Sequence, residues 1–348
     1  MRVLVTGHKG YIGAVLVPML LKSGYEVVGL DSGYFDDCLY VDGEIEIPYI
    51  KKDVRDVELS DVKGFDAVMH LAGLSNDPMG DFNPDVTYDI NYRATVNLAK
   101  LAKQAGVRRF LFSSSCSTYG SAGNDFIDET AGFNPQTPYG DSKVLAERGL
   151  LELADDTFSP TFLRNATAYG MSPRIRFDLV LNNLVAWAVT TRKVYLKSDG
   201  TAWRPIVHIA DISSAFIALM EAPLDVVHCK AYNVGQTSEN YRVRDIATIV
   251  GEVVPDCEVA FADGASVDSR NYRVNCDLIQ KEVPGFKPVW TARKAAKEIY
   301  EAVVRQGLKL EEFEGDKFMR LARLKKHIAD GLMDSELRWK VAGVAHGL

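Results

Sequence analysis

Tyr139 and Lys143 stand four residues apart in the stretch Tyr139-Gly140-Asp141-Ser142-Lys143. On a helix that spacing puts both on one face. A free phenol ionises near pH ~10. An ammonium beside it, together with the positive charge of an oxidised hydride acceptor, favours the phenolate and makes it a usable general base near neutrality. Such a pair is commonplace on surfaces, so it needs company. Ser113-Ser114-Ser115 supplies it, at the end of an apolar run where a hydroxyl could hydrogen-bond the substrate oxygen that Tyr139 deprotonates. Together they suit oxidation of an alcohol, provided a hydride acceptor lies beside them.

The first residues supply a place for that acceptor. Thr6-Gly7-His8-Lys9-Gly10-Tyr11-Ile12-Gly13 spaces glycines three apart, after the strand-like RVLVT and before a helical stretch. Glycines let the backbone turn sharply and approach a pyrophosphate, and the helix N-terminus offers free N–H groups. Gly7, Lys9, Gly10, Tyr11, Ile12 and Gly13 are the expected contacts. Asp31 ends the second strand, where a carboxylate accepts from both ribose hydroxyls and repels a 2′-phosphate. Ser32-Gly33 follow it rather than Arg, which favours NAD over NADP; Lys9 points the other way. Asp53, in Asp53-Val54-Arg55-Asp56, could accept from the adenine amino group. Leu71, Ala72 and Gly73 are small enough to let a cofactor lie against the backbone, and Lys143 could hold the nicotinamide ribose.

These residues need a scaffold that gathers strand ends. Apolar runs at Arg2–Thr6, Tyr25–Leu30, Ile45–Lys51, Ala67–Leu71, Arg109–Ser114 and Thr161–Ala166 alternate with helical stretches at Tyr11–Ser23, Asp85–Ala105 and Pro138–Leu153. Alternation of this kind predicts an α/β fold, a doubly wound parallel sheet (Rossmann) covered on both faces. Beyond Asn165 the rhythm breaks into a smaller mixed α/β substrate-binding region. The expected division is a dinucleotide domain over 1–165, rejoined by segments at about 206–235, with 166–205 and 236–348 forming the substrate region and tail. The tail after Gly307 is charged and helical, with no function assigned. His208, on an apolar strand, is expected in the core.

Composition narrows the classes. The 348 residues carry a net charge of −7, unsuited to nucleic acid, which rewards clustered Lys and Arg. Five widely spaced cysteines without a C-x-x-C pattern argue against a disulfide framework and for a reducing compartment. No metal spacing occurs among the six histidines. Neither a signal peptide nor a membrane-length apolar run is evident, so the expected location is cytoplasmic.

Over about residues 1–300 the chain resembles the extended short-chain dehydrogenase/reductase family, in its nucleotide-sugar epimerase/dehydratase branch. The carriers are TGHKGYIG, Asp31, DVRD, HLAG, Tyr88-Asp89-Ile90-Asn91, SSSCSTYG, YGDSK, LRNATAYG and RPIVHIADI. The resemblance implies that Ser115, Tyr139 and Lys143 are the catalytic triad, that Asn91 supports Lys143 through water, and that Asp53 and Val54 meet adenine. It implies bound NAD, a nucleotide-diphosphate sugar substrate oxidised at C4, and a homodimer paired through the two long helices.

The same resemblance separates the branch's reactions. Its dehydratases carry Thr-Asp-Glu where this chain has Ser115-Cys116-Ser117, its decarboxylases a Glu at the third position, and its epimerases acting beside the keto group a Cys there. Here the Cys is one place early, and neighbouring side chains of an extended segment face opposite ways, so Cys116 reads as structural. Ser-x-Ser resembles the C4-epimerases, which rotate a transient 4-keto sugar and return the hydride to its other face. A 4-dehydrogenase or 4-ketoreductase would use the same residues, a dehydratase is a further alternative, and a non-catalytic dinucleotide sensor is a remote one. For the substrate, the resemblance implies Asn165, Asn183, Leu184, Arg204 and Arg270 at the nucleotide diphosphate, since Arg binds phosphate bidentately. Ser75, Ser115 and Ser117 would face the sugar. The basic loop Met171–Arg176 could cap an acidic sugar or lie solvated.

Overall fold

Strands buried on both faces need helices above and below, and the chain supplies them in alternation. The computed structural model describes residues 1–121, 123, 125–266 and 271–340. Five strands come early: β1 (Arg2–Thr6), β2 (Glu26–Asp31), β3 (Tyr49–Lys51), β4 (Ala67–His70) and β5 (Arg109–Ser115). With Ser159–Asn165 and Ala231–Val234 they form one seven-stranded sheet in the order Ala231–Val234, Ser159–Asn165, β5, β4, β1, β2, β3, all parallel. The winding reverses between β1 and β4, and a crevice opens outside their carboxyl ends, the usual ligand site of such sheets. The expected doubly wound α/β fold is therefore present.

On one face Leu98, Ala99, Ala146 and Leu150 pack against the sheet, and on the other Leu16, Leu20, Phe216 and Leu219. Each buried aliphatic or aromatic side chain contributes roughly 1.5–3 kcal/mol. Two helices position the chemistry. The stretch expected as Asp85–Ala105 is an α-helix at Pro84–Tyr88, a π-turn at Asp89–Arg93 and an α-helix at Ala94–Gln104. The π-turn carries Asn91, and such bulges often mark functional sites. The second helix runs Pro138–Leu151. Its cap Thr137 accepts from the Gly140 amide at 3.2 Å and donates to Asp77 at 2.6 Å, with Pro138 at the first helical position.

Two expectations change beyond Asn165. The strand Trp203–His208 does not rejoin the main sheet. Thr167–Tyr169 continues outward from Ser159–Asn165 and takes Ile206–His208 as its parallel neighbour, and Asn240–Arg242 pairs on the other side. Return comes later, through the helix Ile209–Glu221 under the sheet and the strand Ala231–Val234. His208 is a core histidine: its Nδ1 accepts from the Ala210 amide at 3.0 Å and its ring stacks on Trp290 at 3.9 Å.

The tail is also misplaced by the sequence division. Gly307, in the left-handed region at φ 67°, ends the helix Ala292–Gln306. Phe313 and Phe318 then enter the core of the second region, but Leu324, Met333 and Leu337 enter the core on one face of the seven-stranded sheet. The tail thus spans both. Among the described residues, no helix is long and apolar enough to cross a membrane.

Candidate active site

β1 runs into the turn at Gly7, whose φ is 72°, and a Cβ there would stand 2.8 Å from the Ala72 nitrogen. A Cβ on Gly13 would lie 2.5 Å from the carbonyl oxygens of Gly7 and His8. Only glycine permits this closeness, which brings the ends of β1 and β4 together. The helix α1 (Gly13–Lys22) starts against the turn with no side-chain cap and no acidic residue in its first turn. The amides of Ala14, Val15 and Leu16 are taken by the carbonyls of Gly10 and Ile12, so what the helix leaves for an anion is its positive dipole end.

At the end of β2, Asp31 accepts from the Lys9 amide at 3.1 Å and the Gly33 amide at 2.9 Å. Burial raises its carboxyl above the ordinary range, against those hydrogen bonds and the nearby His8. The Lys9 ammonium is turned to Asp36 at 3.3 Å and lies over the Tyr49 ring at 4.4 Å. The cation that could have favoured NADP is thereby matched by a second carboxylate. Asp53 caps the short turn Val54–Asp56, and Arg55 grips it at 2.7 Å while the Tyr34 hydroxyl lies 2.9 Å away. These partners hold its carboxyl below the usual range despite burial.

The catalytic candidates meet at the other end of the turn. Tyr139 and Ser115 line the same cleft, and the Ser115 hydroxyl donates to Ser117 Oγ at 3.0 Å. Lys143 is buried; its Nζ donates to the Ser113 carbonyl at 2.8 Å and sits 5.9 Å from the centre of the Tyr139 ring. Burial brings this ammonium down to about 8, against the pull of Glu147 one turn along. Burial pushes the Tyr139 phenol up to about 12, with nearby Ser115 acting the other way. Desolvation is the largest cause of that rise. The expected phenolate relies on the charge of the oxidised hydride acceptor as well as on Lys143, and the chain supplies only the second.

Asn91 is held by direct bonds. Its side chain accepts from the Leu74 amide at 2.8 Å, donates to the Leu74 carbonyl at 2.9 Å, and reaches Ser142 Oγ at 3.2 Å. It clamps the chain after β4 to the catalytic helix. Beneath that helix Glu147 accepts from Ser114 at 2.5 Å and from Arg164 at 2.7 Å, and Arg164 reaches Tyr119 at 3.0 Å. Removing one partner of such a buried pair typically costs ~3–5 kcal/mol. Cys116 is buried with its thiol directed at the Arg164 carbonyl, 3.2 Å away, and burial pushes its ionisation well up. It is structural, as its register implied.

One cleft of about 1040 Å³ joins these parts. Its walls include Gly7, Lys9, Gly10, Tyr11, Ile12 and Gly13, then Asp31, Asp53, Val54, Leu71, Ala72 and Gly73, then Ser113, Tyr139 and Lys143. Ser75, Ser115, Ser117, Asn165, Asn183, Leu184 and Arg204 line the rest. Asn91 stands behind the wall, and Arg270 lies outside the described residues. In the other half of the cleft, Asn165 donates to Ser113 Oγ at 3.1 Å, and Arg204 is buried with its guanidinium 6.0 Å from the Tyr272 ring centre. The structure adds cleft residues that the sequence did not single out, among them Tyr34, Asn76, Asp178, Tyr272, Met319 and Arg320. Two arginines of the basic loop are buried, not solvated. Arg174 pairs with Glu44 at 2.7 Å, and Arg176 pairs with Asp178 at 2.7 Å while donating to Ser75 at 2.6 Å. Their shared composition was the only signal available. Among the described residues, no cluster of three His, Cys, Asp or Glu could hold a metal ion.

Residues 3–235 match the NAD dependent epimerase/dehydratase family. The UDP-glucose 4-epimerase of Bacillus subtilis (strain 168) is 30% identical over 304 residues, 76% of this chain and 89% of that protein. The human UDP-glucose 4-epimerase is 30% identical over 328 residues, 84% of this chain and 92% of its own length. Among solved structures, MoeE5 in complex with UDP-glucuronic acid and NAD superposes with a TM-score of 0.76 at 28% identity, covering 88% of this chain and 100% of that one. The chain belongs to the NAD-dependent epimerase/dehydratase family.

Proposed function

We propose that this NAD-dependent nucleotide-sugar epimerase inverts C4 of a UDP-sugar, with Ser115, Tyr139 and Lys143 as its catalytic residues. The observation that carries the proposal is the strand end: Ser115 and Ser117 are joined at 3.0 Å beside Tyr139, and the triplet Ser115-Cys116-Ser117 offers no carboxylate. A ketone formed there meets no acid from this segment to drive loss of water, so reversal of the oxidation is the simplest outcome.

The cleft fits the dinucleotide. The uncapped N-terminus of α1, the glycine crowding at Ala72 and the carboxylate of Asp31 answer in turn to a diphosphate, a close backbone approach and a ribose. His8 adds a buried Nδ1 without a hydrogen-bond partner beneath the turn. NAD held in this cleft would supply the hydride acceptor and donor, together with the positive charge of its oxidised ring. The residues of the chain move the proton. Tyr139 takes it from the C4 hydroxyl and gives it back, Ser115 holds that oxygen, and Lys143 adds a positive field while binding the nicotinamide ribose. Asp53 and Val54 border adenine. Ser75, Asn165, Asn183, Leu184, Arg204 and Arg270 serve the nucleotide sugar.

Uridine is favoured because the Bacillus subtilis and human relatives are UDP-glucose 4-epimerases and the MoeE5 structure holds a UDP-sugar. A cytoplasmic homodimer, paired through Pro84–Gln104 and Pro138–Leu151, completes the proposal. Five unpaired cysteines support a reducing compartment. Incubation with UDP-, dTDP-, GDP- and CDP-sugars tests the whole: one UDP-sugar is expected to yield its C4 stereoisomer without net NADH. Stoichiometric NADH would move the assignment to a 4-dehydrogenase, and turnover of another nucleotide alone would overturn the uridine choice.

A further inference from the structure

The segment after Gly307 has no part in the chemistry above, yet its last stretch is fastened to one end of the cleft. Tyr34 and Asp53 line that end, on the side of Asp31. The Tyr34 hydroxyl lies 2.5 Å from the Leu337 carbonyl, and its own carbonyl accepts from His327 at 3.0 Å. Arg55, which grips Asp53, also donates to the carbonyls of Glu336 at 2.8 Å and Leu337 at 3.1 Å. Arg338 reaches Asp56 at 2.6 Å and Asp53 at 3.5 Å. The Trp339 indole donates to the Ser32 carbonyl at 2.8 Å, and its ring meets Tyr34 edge-on at 5.9 Å. Three separate loops of the dinucleotide domain, at residues 32–34, 53–56 and 83, are thus tied to one strap; Asn83 joins it through the Ser335 carbonyl at 3.1 Å.

The start of the strap brings charge. Arg320 lines the same cleft, is 2% exposed, and has a buried Nη1 without a hydrogen-bond partner. It lies over the Phe35 ring at 4.7 Å and donates to the Arg174 carbonyl at 2.8 Å. Neighbouring Ser172 donates to the Tyr11 carbonyl of the glycine turn at 2.9 Å. A buried guanidinium without a carboxylate partner is costly unless another anion answers it. The anion expected beside the glycine turn is the dinucleotide's diphosphate.

We propose that Met319–Trp339 is part of the cofactor site: a strap that fixes the walls around the adenosine half of NAD and sets the positive charge of Arg320 behind its diphosphate. Retention of NAD between turnovers then depends on residues more than 250 positions away from the loops they hold. This rests on the assignment of the cleft to NAD.

Two probes divide the cofactor: ADP-ribose carries the adenosine half and the diphosphate, nicotinamide mononucleotide the other half. In cofactor-stripped full-length protein, Trp339→Ala, Arg338→Ala and Arg320→Met are each expected to weaken ADP-ribose about tenfold, the scale of losing a charged or well-placed hydrogen bond. Nicotinamide mononucleotide should change less than about twofold by the same reasoning. NAD co-purifying with each variant should fall in parallel. Unchanged ADP-ribose affinity, or equal loss for both probes, overturns the strap. Hydrogen exchange of the unmutated chain guards against variants that fail to fold: ADP-ribose should slow amides within 320–339, and no slowing there contradicts the proposal. Failure of the unmutated protein to bind NAD would instead sink the cofactor assignment itself.

Discussion

The two halves of the cleft are built in opposite ways. The cofactor half is made of backbone: consecutive strand ends, a turn in which only glycine fits, and an uncapped helix N-terminus. The substrate half is made of side chains brought from remote segments, where Arg176 meets Asp178 and Ser75, and Asn165 reaches Ser113. The lesson is one of tolerance. A backbone cradle binds any dinucleotide of the right shape, so one acidic reader sets the choice among them. A side-chain wall can be rebuilt residue by residue, which is where members of one family acquire different sugars.

That contrast can be broken or sharpened at the residues between the halves. The largest expected effect is at Tyr139. Tyr139→Phe should lower turnover by about 10²–10⁴-fold, the usual worth of a general acid–base, while the amount of NAD co-purifying stays unchanged, because the glycine turn and Asp31 are untouched. Measured turnover near the unmutated value would remove Tyr139 from the mechanism, and parallel loss of NAD would blur the division.

Lys143 tests the cost of burying charge at the boundary. Its folded value, about 8, is depressed from an unfolded value near ~10.4. The penalty is fully present below pH ~8 and gone above pH ~10.4. Lys143→Met should therefore stabilise the unliganded protein at pH 7 by up to roughly 2–3 kcal/mol, with the gain fading as pH rises through that window. Denaturant melts at pH 7 and pH 10.5 would show it; a gain independent of pH would contradict it. The smallest expected effect is at Asp31. Asp31→Ala should reduce the preference for NAD over NADP by about tenfold, on the order of 1.4 kcal/mol, without altering the sugar's KM. An altered KM would mean that the two halves are coupled.

How much was legible follows the same line. The β1–turn–α1 unit, Asp31 and the Tyr139–Lys143 face are local patterns, and each was readable from spacing. Trp203–His208 was recognisable as a strand, but not its sheet, because its partners are Thr167–Tyr169 and Asn240–Arg242 and periodicity carries no pairing information. The π-turn at Asp89–Arg93 looked like plain helix, since its inserted residue leaves the apolar pattern nearly intact. Arg174 looked like part of a basic loop because its partner Glu44 lies 130 residues away. The tail looked like a charged appendage, although Leu324, Met333 and Leu337 spread its apolar contacts over three separate anchors. Long-range pairing hides each of these from a local reading.

The central claim is that C4 is oxidised and reduced again within one cleft, with nothing else done to the sugar. Proton NMR of a UDP-sugar turning over in deuterium oxide tests it most directly. The account predicts a second C4 stereoisomer that keeps its original hydrogen at C4, takes up no deuterium on any carbon, and accumulates no NADH. Deuterium at C5 with loss of a hydroxyl group, or at C3 with inversion there, would contradict it.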